Sequence, residues 1–208
     1  MDTKSLVRWG AISAIGASAA WAGLSFESII RPDPESYRDV LFLIPWTLTA
    51  VALCYLHMIQ RDHYGRLGTI GFGVAIGAMA VGGFAMTAVT LGVDSLMFLA
   101  FPVSVLSWVV GMAMLGIATI RARVLPRSAG VALILSEPMA IASGLALSPW
   151  VELAESGSYS GAIGNGVAML LVGLALRKMS GLNAESQEQI RSTPATQSAE
   201  SSAPSVLS

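Results

Sequence analysis

Charge is what this 208-residue sequence has least of: Asp, Glu, Lys and Arg together make up 12% of it, where a soluble globular domain carries about 25%. With 54% hydrophobic residues and a mean hydropathy of +0.66, the chain cannot cover itself with polar surface. Its one cysteine, Cys54, excludes an intramolecular disulfide and reads as a small packing residue rather than a redox group. A net charge of −1, with no large basic cluster in any loop, argues against a nucleic-acid partner. There is no GxxxxGK(S/T) for nucleotide phosphates, no HExxH for zinc, no GxSxG elbow and no CxxC. Catalysis by a standard soluble-type site is therefore not expected, and no cofactor is implied. His57 and His63 stand too far apart to share one helix face in the i, i+3 or i+4 manner of metal ligands, so no metal site is predicted.

What the sequence does have is long uncharged runs. Six can be drawn, at about 8–27, 40–59, 68–92, 95–119, 128–147 and 161–176, each near the length needed to cross a hydrocarbon core of about 30 Å. They are continuously apolar instead of alternating, which selects helices over barrel strands. The fold class expected is all-α: a six-transmembrane-helix bundle over residues 1–179, followed by a disordered cytoplasmic tail over 180–208. The tail is rich in Ser, Ala, Glu, Gln and Thr and has little apolar surface to set against the entropy of ordering. The first run is the least hydrophobic, and Lys4, Arg8 and the small residues of "ASAAWAG" also suit a cleaved secretory signal.

Orientation follows from the basic residues, which concentrate on the cytoplasmic side of membrane helices. With six spans and a cytoplasmic N-terminus, ten of the twelve fall inside: Lys4, Arg8, Arg61, Arg66, Arg121, Arg123, Arg127, Arg177, Lys178 and Arg191. Arg31 and Arg38 fall outside. Both termini are therefore expected in the cytoplasm of a cell whose plasma membrane holds the chain. The loop "RVLPRSAG" resembles a turn of small multi-spanning bacterial membrane proteins, a resemblance that implies topology only. Trp9, Trp46, Trp150, Tyr37 and Tyr159 lie near predicted interfaces, where amphipathic rings prefer to sit.

Small residues are frequent in several runs and let helix backbones approach closely, which in lipid takes the place of the hydrophobic drive between helices. Gly73 with Gly77 forms a GxxxG and Ala162 with Gly166 a small-xxx-small pair. Both are read first as internal packing, with a membrane-protein partner or a second copy of the chain as the alternative. "DVLFLIPWTLTAVALCYL" from Asp39 and "DSLMFLAFPVSVLSWVVGMAML" from Asp94 form a faint parallel repeat.

The polar exceptions carry the chemistry. Pro45, Pro102 and Pro138 interrupt the second, fourth and fifth runs and are candidates for helix kinks that leave room for a cavity. Glu137 lies roughly 14 Å from the inner end of its run, near the midplane of the bilayer. An ionised carboxyl there costs several kcal/mol unless paired or hydrated, and no Lys or Arg occurs within a run to pair with it. The expected state is a neutral acid facing the bundle and bonded to Ser136, Ser143, a threonine or a carbonyl freed by proline. Asn165, between glycines in the sixth run, is read as an interhelical hydrogen-bonding residue. Glu27 is read as solvated at the outer surface.

Two functions fit. The first is a non-catalytic structural or accessory component of the membrane. The alternative is a small transporter or channel-like protein using Glu137 as a proton or cation site, of unspecified substrate.

Overall fold

The computed structural model describes residues 2–33, 37–149 and 159–192, and its secondary structure is entirely helical among them. Helix α1 runs Thr3–Ile30, started by the Asp2 carboxylate, which accepts from the Ser5 amide at 2.8 Å and so satisfies one of the free donors of a helix N-terminus. The next helical segment is α2 (Tyr37–Leu41) and α3 (Leu43–Gln60), broken at Phe42. Pro45 occupies the first turn of α3, where its missing N–H costs no hydrogen bond. Gly65, at φ 61, opens α4 (Gly65–Thr90), and Gly92, at φ 91, follows it. A 3₁₀ turn at Asp94–Leu96 and a π-helical stretch at Leu99–Val103, which contains Pro102, lead into α5 (Ser104–Ala122). Helix α6 is Arg127–Leu147, with Pro138 inside it. A 3₁₀ turn at Ser160–Ala162 begins the last crossing, α7 (Ile163–Ser192).

Five of these segments are long and apolar enough to cross a membrane: Tyr37–Gln60, Gly65–Thr90, Asp94–Ala122, Arg127–Leu147 and Ser160–Gly181. They overlap the second to sixth predicted runs. Helix α1, rich in Ala, Ser and Gly, has the length without the same hydropathy, yet its Val7, Ala14 and Ala17 are fully buried. Large apolar side chains also cover the outside, among them Phe84, Leu106, Val110 and Leu145, as expected of a surface that meets lipid instead of water. Helix α7 continues to Ser192, past Ser180, where the sequence reading begins its tail; residues 193–208 lie outside the described ones.

The helices form a ring in the order α3, α1, α7, α6, α5, α4, with a thin closing contact between α4 and α3. Backbone approach at small residues explains this order. A Cβ on Gly164 would stand 2.2 Å from the Ala140 amide nitrogen, and one on Gly116 would stand 2.5 Å from the Gly130 carbonyl oxygen, so α7 on α6 and α5 on α6 admit only glycine there. Gly166, partner of Ala162 in the small-residue pair, packs on Ser18, Trp21 and Ala22 of α1.

The GxxxG of α4 behaves differently. Gly73 and Gly77 are exposed with nothing within 4 Å, and the contact with α5 is made through Gly71, Ala75 and Gly82. At about 100° per residue, positions 71 and 73 lie about 200° apart round the helix, so one turn of small residues cannot serve both faces. The internal reading of Gly73 and Gly77 is thereby corrected.

Candidate functional site

The ring has a proximal end, bearing Thr3, Gln60, Gly65, Ala122 and Arg127, and a distal end, bearing Ile30, Tyr37, Thr90, Asp94, Leu147 and Ser160. Between the middle of the bundle and its distal end lies a cavity of about 390 Å³, lined by residues from α1, α3, α4, α5, α6 and the start of the last crossing. That volume falls in the range of small-molecule sites, about 300–1,000 Å³.

Its wall is aromatic. Tyr159 stacks on Phe42 with ring centroids 5.3 Å apart. Phe42 meets Trp46 at 4.8 Å and Trp21 at 5.5 Å, and Trp46 meets Trp108 at 5.4 Å. Two of the three indoles are anchored: Trp21 Nε1 donates to Thr49 Oγ1 at 3.1 Å, and Trp46 Nε1 to the Met79 carbonyl at 2.8 Å. Thr49 in turn donates to the Pro45 carbonyl at 2.8 Å. These anchors hold the rings edge-on or tilted, the arrangement aromatic pairs prefer.

The third indole is different. Trp108 is 3% exposed, yet its Nε1–H has no hydrogen-bond partner. It faces the half-buried Glu137, whose carboxyl is also approached by the Asn165 amide. The Trp108 Nε1–H does not close into a hydrogen bond, and the Asn165 Oδ1, which can only accept, is left without a donor. Ser160 Oγ, in the same lining, is likewise unsatisfied. Since buried polar atoms are nearly always paired, it matters that three of the four unsatisfied ones among the described residues belong to this cavity; the fourth is Gln60 Oε1. No Lys or Arg lines it.

Helix α6 aims Glu137 inward because it continues the buried stripe of Ala129 and Leu133, with Ala140 and Gly144 one and two turns on. Of the predicted partners, Ser136 spends its hydroxyl on the Leu133 carbonyl at 3.0 Å. Ser143 lies 2.8 Å from the Met139 carbonyl and 2.9 Å from that of Gly161, tying α6 to the start of the last crossing. Both therefore bond backbone and stand outside the cavity lining, whereas Asn165 and Glu137 are brought together. Trp108, Trp46 and Trp21 were not legible as site residues; Trp46 and Tyr159, read as interface anchors, line the cavity instead.

Over the distal end sits a polar cap. Arg38 is fully buried and pairs with Glu27, which also accepts from Tyr37; Arg38 further donates to the Arg31 carbonyl at 2.6 Å and the Asp33 carbonyl at 2.9 Å. Glu27 is thus an ion-pair partner, not a freely solvated end group. Tyr159 donates to Asp39 Oδ1 at 2.7 Å, and its amide to Ser28 Oγ at 3.2 Å. Burial foremost, and then the Asp39 carboxylate, push the Tyr159 phenol well above its ordinary range. The opposite charges at neighbouring helix ends were the signal in the sequence for this cap.

No protein family, curated protein or solved structure matches this chain. Its function must be argued from the site.

Proposed function

We propose that the chain is a six-span protein of the cell membrane, with both termini in the cytoplasm, that moves a proton or cation through a site at Glu137. The membrane class rests on the five long apolar helices. The orientation is supported by the basic side chains, since Lys4, Arg8, Arg61, Arg66, Arg121, Arg123 and Arg127 lie at or near proximal helix ends and Arg177 and Lys178 lie within α7 close to Gly181, where its apolar segment ends, and such residues favour the cytoplasm.

The observation that carries the functional reading is an acid at mid-bundle, lining a cavity with Asn165 and Trp108 and facing no fixed positive charge. Intramembrane acids that line cavities mark ion and proton pathways. A purely structural carboxyl would instead be expected to bond within its helix contacts, as Ser136 and Ser143 do. For this reason the transport reading is preferred to an accessory role.

The test is flux in proteoliposomes carrying an internal pH dye and an imposed proton, sodium or potassium gradient. Wild-type protein is expected to dissipate one of these gradients, and Glu137→Gln, which keeps shape but cannot titrate, is expected to abolish the flux. Equal behaviour of the two proteins would leave the accessory role as the better reading.

A further inference from the structure

We propose that the ligand of this cavity is a hydrophobic ammonium ion, admitted from the lipid between the distal halves of α5 and α6; this rests on the reading of Glu137 as a cation site. The composition of the wall selects the class. A bare metal ion needs several oxygen ligands, about six for the hard cations. Around Glu137 the lining offers the carboxyl itself, the Asn165 amide and the Ser160 hydroxyl; the hydroxyls of Ser104 and Tyr159, also in the lining, already donate to the Ala100 carbonyl and to Asp39, and most of the rest is rings and aliphatic groups. A proton alone needs no such volume. An anion finds no Lys or Arg, and a neutral apolar molecule leaves the carboxyl without a counter-charge in a desolvated place.

An ammonium group on an apolar body fits each part of the wall. Its charge meets Glu137, its N–H groups meet the unsatisfied oxygens of Asn165 and Ser160, and its body lies against Trp46, Trp108 and Phe101. Aromatic faces attract cations, most strongly where water is excluded.

The route follows from how α5 and α6 diverge. At the proximal end they are pressed together at Gly116 and Gly130. At the distal end the π-helical stretch before α5 packs on α4, away from α6. Phe101, Ile141 and Leu145 line the cavity and yet are 45%, 53% and 62% exposed. They form an apolar rim on the outside of the bundle, while Phe42, Tyr159 and the Arg38–Glu27 cap stand toward the distal aqueous side. A ligand that partitions into the bilayer reaches such a rim directly.

The experiment uses the full chain in phosphatidylcholine nanodiscs, titrated calorimetrically with phenylbutylammonium and with its uncharged analogue phenylbutanol, empty nanodiscs being subtracted. Phenylbutylammonium is expected to bind saturably, and Glu137→Gln to weaken it by about thirtyfold or more, the loss typical when one partner of a desolvated charge pair is removed. Phenylbutanol should bind weakly and without regard to residue 137. Ile141→Trp, at the exposed rim one helical turn from Glu137, is expected to slow association, followed by stopped-flow tryptophan fluorescence, at least about tenfold while leaving the preference for ammonium over alcohol intact.

Equal binding of alcohol and ammonium, or ammonium binding that ignores Glu137→Gln, would overturn the ligand class. Unchanged association in Ile141→Trp would overturn the lateral route. Sodium or potassium flux that needs Glu137, with no phenylbutylammonium binding, defeats this inference while the proposed function stands. Glu137-dependent ammonium binding without any flux does the reverse.

Discussion

Trp108 and Glu137 face one another from α5 and α6, an indole N–H without a partner beside a carboxyl without a fixed counter-charge. The pairing has a direct consequence for mutation. Because the indole N–H makes no hydrogen bond in the fold, Trp108→Phe removes an unsatisfied buried donor and keeps most of the ring. Losing such a donor offsets part of the lost packing, so stability should change by less than about 1–2 kcal/mol. The carboxyl, in contrast, loses one of the two side-chain dipoles directed at it, and binding or flux at Glu137 should fall severalfold. Thermal unfolding in detergent, set beside the proteoliposome assay, checks both halves; a large drop in melting temperature would mean that Trp108 serves packing alone.

A second prediction concerns the distal cap. Arg38 is fully buried and Glu27 is 28% exposed, so Glu27→Gln takes a carboxylate away from a guanidinium charge held inside the protein. Breaking fully buried pairs costs about 3–5 kcal/mol, and the partial exposure of Glu27 places this one nearer about 2–3 kcal/mol. The double variant Glu27→Gln with Arg38→Met should recover much of the loss, since it removes the buried charge together with its carboxylate. Chemical or thermal denaturation of the single and double variants in the same detergent gives the comparison, and a double variant worse than either single one would contradict it.

The crossing helices were legible because hydrophobic length and short loops leave few alternatives: a run such as 68–92 is helical in lipid or it strands its backbone. Glu137 was legible for a related reason, as a lone charge in an apolar run. Its surroundings were not. Which side chains meet at one depth depends on the order of helices round the ring, and that order is set by backbone approach at Gly116, Gly130 and Gly164, contacts that sequence periodicity does not pair. Hence Ser136 and Ser143, on the same run as Glu137, were expected as partners, whereas Trp108 and Asn165 arrive from other helices. The same blindness affected α4, where Gly73–Gly77 has the familiar spacing and Gly71 and Gly82 make the contact.

That contrast gives a paired prediction on glycines. Gly164→Ala forces a methyl into the Ala140 backbone, 2.2 Å away, which α6 and α7 can relieve only by separating. A cost of about 1–3 kcal/mol is expected for such overpacking, together with a disturbed cavity, since Asn165 is the next residue. Gly77→Ala meets nothing within 4 Å and replaces a poor helix former with the best one. It should therefore be neutral or stabilising by up to about 1 kcal/mol. Melting temperatures in detergent measure both. If Gly77→Ala instead destabilises the protein or changes its elution volume, the exposed face of α4 is occupied in solution by a second copy of the chain.

The last prediction concerns alkaline pH at the turn between α3 and α4. Tyr64, 6% exposed, packs under Gly68 and bonds with His57 Nδ1, whose ring stacks on Phe72 at 4.1 Å. Burial pushes the Tyr64 phenol up from 10.0 to about 12, because the phenolate would be desolvated. The sign follows from linkage. Below pH 10 the phenol is protonated in both folded and unfolded chains, and Tyr64 adds no slope. Between the unfolded and folded values the folded chain holds a proton that the unfolded chain has released, so stability falls as pH rises through that window. A melting-temperature profile from neutral pH upward should be flat with respect to this group and then decline above about pH 10. Tyr64→Phe lowers the neutral-pH plateau by removing the bond to His57 and flattens the decline, because nothing remains there to ionise. An undiminished decline in Tyr64→Phe would assign the alkaline transition to another group, with Tyr159 on its Asp39 carboxylate the next to be substituted.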